Sequence, residues 1–205
     1  MNSLGVKVFI AQNPRFYHML KKEIRVIGID DSPFDKFRDK KVLIVGVIYR
    51  GGHFMDGIIS TYVSVDGKDA TSKIASMINK CKFKSQLRCI LLKGIAVAGF
   101  NAIDIKKLNS LTKLPVIVVM RHYPQVKKIE NTLIKLKMNS RISLIKNAGE
   151  IHKIGNLYVQ FSGTTLSQTR EFLKITITHS LIPEPLRIAH LIAGGIVDGE
   201  SRGHA

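Results

Sequence analysis

The segment RVIGIDDSPF, residues 25–34, decides how the rest of the chain is interpreted. Ile27 and Ile29 are typical of a buried strand, and Asp30 and Asp31 follow that strand directly, ahead of a Ser-Pro pair. A carboxylate at the mouth of an apolar core must be solvated, paired with a cation or bound to a metal ion. Two hypotheses therefore stay open: these carboxylates cap a turn, or they hold a cation.

Two further segments have strand character and predict a three-stranded meander. Residues 24–29, 40–50 and 58–65 are rich in β-branched and aromatic residues, and the connections between them are short, the second of them Gly-rich. Short connections imply antiparallel neighbours, so the first and third strands should run in the same direction. Asp30 and Asp66, which end those two strands, are then expected at the same edge of the sheet.

Beyond Asp66 the hydrophobic period changes to that of helices alternating with strands. Ile74, Met77, Ile78 and Cys81 recur at helical spacing and predict an amphipathic helix. The order predicts an α/β fold, a ribonuclease H-like mixed sheet in which an antiparallel three-strand meander is followed by parallel strands, with helices on both faces. The later strands are expected at 88–92, 114–120 and 156–161, and the later helices at 99–111, 123–137, 165–176 and 185–199.

The charge balance indicates a polyanionic partner. Lys and Arg number 32 against 15 Asp and Glu, a net charge of +17, and nucleic acid is the commonest partner of such a chain. An anionic membrane surface or an acidic protein surface is the competing interpretation, and for individual residues so is an ordinary solvated helix face. The predicted nucleic-acid contacts are Lys80, Lys82, Lys84, Arg88, Arg121, Lys127 and Lys128.

The N-terminal region and the cysteines indicate a cytoplasmic protein without a membrane anchor. The apolar stretches reach about half of the ~20 residues that a spanning helix needs, and no signal-peptide layout is clear. We expect residues 1–18 to form an N-terminal extension, or an edge-strand arm, on a domain of residues 19–205. Cys81 and Cys89 fit no zinc pattern and should remain reduced.

The scarce acidic residues are the candidates for phosphodiester chemistry. Mg²⁺ or Mn²⁺ both activates water and neutralises phosphate charge, and such hard cations prefer carboxylate oxygens from several elements. Asp30 and Asp66 form the predicted metal pair, with Asp104 or Asp31 completing the ligand shell; turn and helix capping is the alternative role for each. A pocket for a flipped base is expected around His53, Phe54, Phe100 and Asn101, although packing or helix capping by Asn101 is the plainer alternative.

Several strings together resemble the archaeal endonuclease dU family, which is distantly similar to endonuclease V. They are RVIGIDDSPF, VSVDGKDATSKIASMI, GIAVAGFNAIDI, LPVIVVMR and IPEPLRIAHLIAGGIVDGESRGHA, and the resemblance covers residues 19–205. It implies metal-dependent cleavage of DNA that contains deaminated bases such as deoxyuridine, a DNA-repair activity. Endonuclease V-like enzymes carry an acid where Asp30 and Asp66 stand, and a third acid before a Gly where this chain has Lys93.

The lysine at position 93 leaves two functional hypotheses open. A lysine supplies no metal ligand and competes with a cation, so Asp104 would replace the missing acid, or one ion would bind weakly, or Lys93 would contact the scissile phosphate. The first hypothesis is a metal-dependent endonuclease with Asp30, Asp66 and Lys93 as its catalytic residues. The alternative is a non-catalytic or weakly catalytic nucleic-acid-binding protein on the same fold.

Overall fold

The computed structural model describes residues 21–201, so the predicted boundary between residues 1–18 and 19–205 lies outside the described residues. The strands are β1 Arg25–Asp31, β2 Lys41–Arg50, β3 Phe54–Ser64, β4 Leu87–Lys93, β5 Ala96–Val97, β6 Asn101–Ala102, β7 Val116–Met120, β8 His152–Ile154 and β9 Leu157–Ser162. The helices are α1 Ala70–Asn79, α2 Ile105–Thr112, α3 Val126–Lys135, α4 Ser140–Asn147, α5 Leu166–Thr176 and α6 Glu184–Asp198.

Seven of these strands form one mixed sheet in the order β3-β2-β1-β4-β7-β9-β8. β1, β2 and β3 pair antiparallel, whereas β4 pairs parallel with β1 and β7 parallel with β4. The predicted meander followed by parallel strands is therefore confirmed for these five strands. β9 instead pairs antiparallel with β7, and α4, β8 and the small β5–β6 pair were not predicted from the sequence.

Helices cover both faces of the sheet, and β1 is buried between them. Ile27 and Ile29 pack with the residues of α1 and α2, including Ile74 and Leu108, whereas Val26 packs with the α5 and α6 residues on the opposite face. Because successive side chains of a strand point to opposite faces, Gly28 and Asp30 share the α6 face with Val26. The strand thus directs one of its two terminal carboxylates toward α6.

Gly28 allows α6 to lie directly against β1. A Cβ at Gly28 would stand 2.4 Å from the carbonyl carbon of Pro185 and 2.6 Å from the backbone nitrogen of Leu186. Both contacts are with backbone, which cannot rotate away as a side chain could. The close approach fixes where the first turns of α6 pass over β1, and therefore where the later residues of this helix lie.

Among the described residues, no helix combines the length and the apolar composition that a membrane crossing requires.

We predict that Gly28→Ala lowers the free energy of unfolding by about 3 kcal/mol or more, because the added methyl group displaces helix backbone. Gly46→Ala in β2 is the matched control, since its Cβ would meet only side chains, the nearest being Ile27 Cδ1 at 3.0 Å, and it should cost about 1 kcal/mol or less. Urea unfolding of both variants measures the difference. Equal losses would show that the contact between α6 and β1 is not rigid.

Candidate active site at the ends of the central strands

Asp30 is a buried carboxylate that holds two cationic or protonatable side chains. It is 3% exposed, and its Oδ2 lies 3.1 Å from Lys93 Nζ and 2.9 Å from His190 Nδ1. An uncompensated carboxylate at this depth would lose several kcal/mol of hydration. The opposing charge of Lys93 and the hydrogen bond with His190 offset that loss, so the three side chains form one unit.

Three distant parts of the chain build this unit. β1 provides Asp30, and its parallel neighbour β4 ends at Lys93 one residue beyond the Ile29–Leu92 pair. α6 provides His190 from the face that Gly28 leaves open. Asp30 and Lys93 were predicted from their positions at strand ends, whereas His190 had no predicted role. A separation of 160 residues leaves no local spacing that could have revealed the contact.

Asp31 points to the other face of β1 and is tied to a loop. Its Oδ2 accepts a hydrogen bond from the Ala98 backbone N–H at 2.7 Å. Burial raises the pKa of Asp31 to about 6, the Ala98 hydrogen bond opposes that rise, and the neighbouring charge of Asp30 adds to it. Two carboxylates therefore meet at the end of β1, and the charged form of Asp31 is destabilised there.

Asp66 lies at the same edge of the sheet as Asp30, as predicted, but its carboxylate is occupied elsewhere. Its Oδ1 accepts the Phe100 N–H at 2.7 Å, and its own N–H donates to the Ala98 carbonyl at 2.9 Å. Arg141 donates to the backbone carbonyls of Asp66 and Gly67. The loop of residues 98–100 thus connects Asp66 to Asp31, and Asp66 secures that loop.

Asp104 and Asn101 have structural roles. The Asp104 side chain accepts the Lys107 N–H at 2.9 Å and caps α2, so this helix begins at Ile105 and not at residue 99. Asn101 was predicted as the cap, yet it is fully buried. Its amide donates to the Ser64 carbonyl and to Asp69, and its oxygen accepts the Ala70 N–H. It joins β3 to α1 and is not available to a base.

An open cavity of about 490 Å³ lies over the two carboxylates. Asp30, Asp31, Lys93 and His190 contribute its polar wall, and Phe34 contributes apolar surface. A second cavity of about 260 Å³ adjoins it at Lys93. The remaining residues that line this second cavity are Gly94, Val119, Met120, Arg121, Ile182 and Leu186.

The acids at this edge are not grouped as the predicted metal site requires, with Asp104 or Asp31 joining the pair of Asp30 and Asp66. Within residues 21–201, no three His, Cys, Asp or Glu side chains are grouped so as to hold a metal ion. Asp66 and Asp104 bind backbone N–H groups instead, which leaves Asp30 and Asp31 as the carboxylates of the cavity. Mg²⁺ commonly uses one or two protein carboxylates together with substrate phosphates and water, so these two oxygen donors fit one hydrated ion at most.

The predicted nucleic-acid contacts separate into two groups. Arg121 follows β7 at the same edge as Lys93, which pairs with Val119, and Lys127 and Lys128 are exposed in the first turn of α3. The other four lie between α1 and the beginning of β4, at the opposite edge, because Leu87 pairs with Arg25. That second group is Lys80, Lys82, Lys84 and Arg88.

The four residues predicted to form a base pocket do not meet at the Asp30 cavity. His53 and Phe54 follow β2 near Arg50, which pairs with Arg25 at the beginning of β1, whereas Asp31 pairs with Ile44. The β2–β3 hairpin therefore lies at the opposite end of the strands from Asp31. Phe54 instead lies under the Arg50 guanidinium, 4.4 Å from it.

Solved structures confirm the ribonuclease H-like architecture. Human ENDOV superposes with a TM-score of 0.55 at 17% identity, over 83% of each chain. Endonuclease V from Bacillus subtilis superposes with a TM-score of 0.56 at 10% identity, over 83% of this chain and 79% of that one. A Ciona intestinalis endonuclease V, solved with DNA that contains an inosine followed by a ribo-adenosine, gives 0.54 at 15% identity over 82% and 83%. At such identities the likeness concerns the fold alone.

Closer relatives occur among archaea. A UPF0215 protein of Methanothermobacter thermautotrophicus is 43% identical over 96% of this chain and 98% of its own length. The crystal structure of a protein of unknown function from Archaeoglobus fulgidus has a TM-score of 0.79 at 40% identity and covers 84% of this chain and 98% of its own. The sequence model of endonuclease dU matches residues 22–197. The chain belongs to the endonuclease dU family.

Proposed function

We propose that the protein is an endonuclease that cleaves DNA at deaminated bases such as deoxyuridine, with the Asp30 cavity as its active site. The observation that carries the proposal is the buried Asp30 carboxylate, held between Lys93 and His190 under an open cavity. Membership of the endonuclease dU family and the endonuclease V-like fold support the reaction class. The inosine-containing DNA bound by the Ciona protein supports the choice of substrate.

His190 is the residue best placed to move a proton. When its Nδ1 donates to Asp30, the neutral imidazole keeps an unprotonated Nε2. Such a nitrogen can accept a proton from a water molecule in the cavity that His190 lines. Asp30 then stabilises the imidazolium that forms, because its carboxylate is already in contact with the ring.

Lys93 is the residue best placed to neutralise the scissile phosphate. Its side chain is 28% exposed while its ammonium group contacts Asp30, so it reaches the cavity and the buried anion together. Ammonium groups bind phosphate oxygens as point charges. A basic residue here would stabilise the negative charge that develops as the phosphodiester bond breaks.

A divalent cation would bind at Asp30 and Asp31. Mg²⁺ or Mn²⁺ held there together with phosphate oxygens would polarise the phosphorus centre and lower the pKa of a bound water molecule. The proximity of the two carboxylates supports this assignment, because the cation would relieve the repulsion between them, which adds to the larger effect of burial in raising the pKa of Asp31. Asp66 would act indirectly, by holding the loop of residues 98–100 to which Asp31 is bonded.

The second cavity suits the deaminated base. It adjoins the first at Lys93, and its wall is largely aliphatic, with Val119, Met120 and Leu186 among its residues. A base rotated out of the duplex needs an apolar recess close to its own backbone. Arg121, Lys127 and Lys128 lie at this edge and would bind the flanking phosphates.

A second function remains in competition, and the ion pair between Lys93 and Asp30 favours it. An ammonium 3.1 Å from the carboxylate supplies within the chain the positive charge that a metal ion would otherwise provide. A protein with such a pair can bind DNA at its basic edge without cutting it. The two candidates differ in whether any phosphodiester bond is broken.

We predict cleavage of oligonucleotides that contain deoxyuridine or deoxyinosine, in Mg²⁺ or Mn²⁺ and not in EDTA, with much slower cleavage of unmodified DNA. Asp30→Asn should reduce the rate by about 100-fold or more, because it removes the charge that orients both His190 and Lys93. Denaturing gel electrophoresis of end-labelled substrate measures the product.

Asp104→Asn is the matched control for Asp30→Asn. It removes one carboxylate from the same edge of the sheet, but that carboxylate caps α2 and lies outside the cavity, so cleavage should stay within about threefold of the wild type. Equal cleavage by wild type and Asp30→Asn would refute the assigned site. Salt-sensitive binding of every substrate without cleavage would establish the non-catalytic function.

Lys93→Met separates phosphate binding by Lys93 from competition with a cation. We predict that it slows cleavage at saturating metal by about tenfold or more, since a charge that binds the phosphate is removed. The dependence of rate on Mg²⁺ concentration should be measured for both proteins. A faster variant that needs less Mg²⁺ would contradict the assigned role and show that Lys93 occupies the place of an ion.

A further inference from the structure

The two outermost strands of the sheet, β3 and β8, differ in how well they are protected against pairing with another strand. β8 at one edge has three residues and carries Lys153. β3 at the other has eleven residues, FMDGIISTYVS, with no Lys, Arg or Pro. Proteins normally protect a long edge with charges, prolines or short strands, because its unpaired backbone groups can bind another strand.

Within residues 21–201, no other strand pairs with the outer side of β3, so its backbone hydrogen-bonding groups are directed away from the sheet over a defined stretch. Val65 donates its N–H to the Lys40 carbonyl, and antiparallel partners exchange such bonds at every second residue. Odd-numbered residues of β3 therefore bond to β2, while Ile58, Ser60 and Tyr62 direct their N–H and C=O groups outward. Ser64 confirms the alternation, because its N–H donates to Asp69 and its carbonyl accepts from Asn101.

The side chains on this outer stretch are apolar and exposed. Ile58 and Tyr62 are 48% and 57% exposed. They lie opposite Val47 and Leu43, which pack against α6, so they extend the same face beyond the helix. Residues 51–67 also contain no Lys or Arg, although the whole chain carries 32 of them. Two arginines that contact β3, Arg25 and Arg50, are paired with Asp56 near its beginning, so the stretch from Ile58 to Tyr62 offers nucleic acid little positive charge.

From this edge we infer that two copies of the chain pair through β3, antiparallel and about a two-fold axis at Ser60. Ile58 of each copy then lies opposite Tyr62 of the other, an aromatic and β-branched pair that stabilises antiparallel strands. The outward groups of Ile58, Ser60 and Tyr62 form about six main-chain hydrogen bonds. Two chains of charge +17 meet along a stretch that itself contains no Lys or Arg, so the repulsion between them is reduced there.

The pairing places the two cavities in a fixed relation. Asp30 pairs with Val45, and Val45 pairs with Ser60, so these three residues form one row across the sheet. At the two-fold axis the row continues into the same three residues of the other copy. Five strand spacings of about 4.8 Å separate the two carboxylates, a distance of about 24 Å. The axis is perpendicular to the sheet, so both cavities open on the same side of one continuous fourteen-stranded sheet, twice the seven strands of a single copy.

Sedimentation equilibrium of the full-length protein tests the dimer. We expect twice the chain mass of 22.9 kDa at ~100 µM, and a dissociation constant raised about 100-fold or more by Ile58→Lys, which places a charge in the pairing face. Ile134→Lys is the matched control: that isoleucine is 56% exposed but lies on α3, so the dimer should persist. Circular dichroism verifies that both variants fold.

An engineered disulfide bond between the two copies would show which residues of their β3 strands lie opposite each other. Directly opposed residues of a hydrogen-bonded pair have Cα atoms about 5.5 Å apart, within disulfide range. Ser60→Cys should therefore form a covalent dimer on oxidation, whereas Tyr62→Cys should not, because its own counterpart lies about four residues along the strand. The wild type controls for Cys81 and Cys89.

Three results would overturn the inference. The first is a monomeric wild type at ~100 µM, as expected if another segment of the same chain, such as residues 1–20, covers β3. The second is an unchanged dissociation constant for Ile58→Lys. The third is cross-linking of Tyr62→Cys as efficient as that of Ser60→Cys.

Discussion

Burial of the Asp30 carboxylate is the constraint on which the candidate site depends. A charge at the end of a fully buried strand must be matched from outside that strand, and here β4 provides Lys93 while α6 provides His190. Each partner in turn depends on a packing relation: β4 must pair parallel with β1, and α6 must pass over Gly28 without a side chain between them. The chemistry and the fold are thus specified by the same contacts.

The other acids show how a chain with few carboxylates uses them. Asp66 and Asp31 each accept a backbone N–H from the loop of residues 98–100, and Asp104 caps α2. The pKa of Asp69 is lowered: burial opposes ionisation, but hydrogen bonds from Asn101 and Ser64 outweigh it. Among residues 21–201, most acids near the carboxyl ends of the strands therefore organise loops, and Asp30 and Asp31 are the carboxylates that line the cavity.

Sequence reasoning located the strands that carry the site but not every group within it. The apolar run of residues 26–29 predicted that Asp30 lies at the end of β1, and the short connections predicted that Asp66 lies at the same edge. Side-chain direction was less accessible: the Asp66-Gly67 pair indicates a turn, but not that the Asp66 carboxylate accepts the Phe100 N–H from a left-handed backbone with φ of 49°. The role of His190 could not be predicted for a different reason. Its contact with Asp30 depends on how α6 crosses the sheet, which is a property of tertiary packing.

The contact with Asp30 gives Lys93 a structural role at the position where endonuclease V-like enzymes carry a third acid. A lysine at the end of β4 faces a buried carboxylate, so together with His190 it offsets part of the free-energy cost of burying that charge. A double-mutant cycle of Asp30→Asn and Lys93→Met, followed by urea unfolding, tests this pairing most directly. Our account predicts that the two free-energy losses are not additive, with a coupling of about 1 kcal/mol or more. Additive losses, within about 0.5 kcal/mol, would contradict it and show that the carboxylate is stabilised without Lys93.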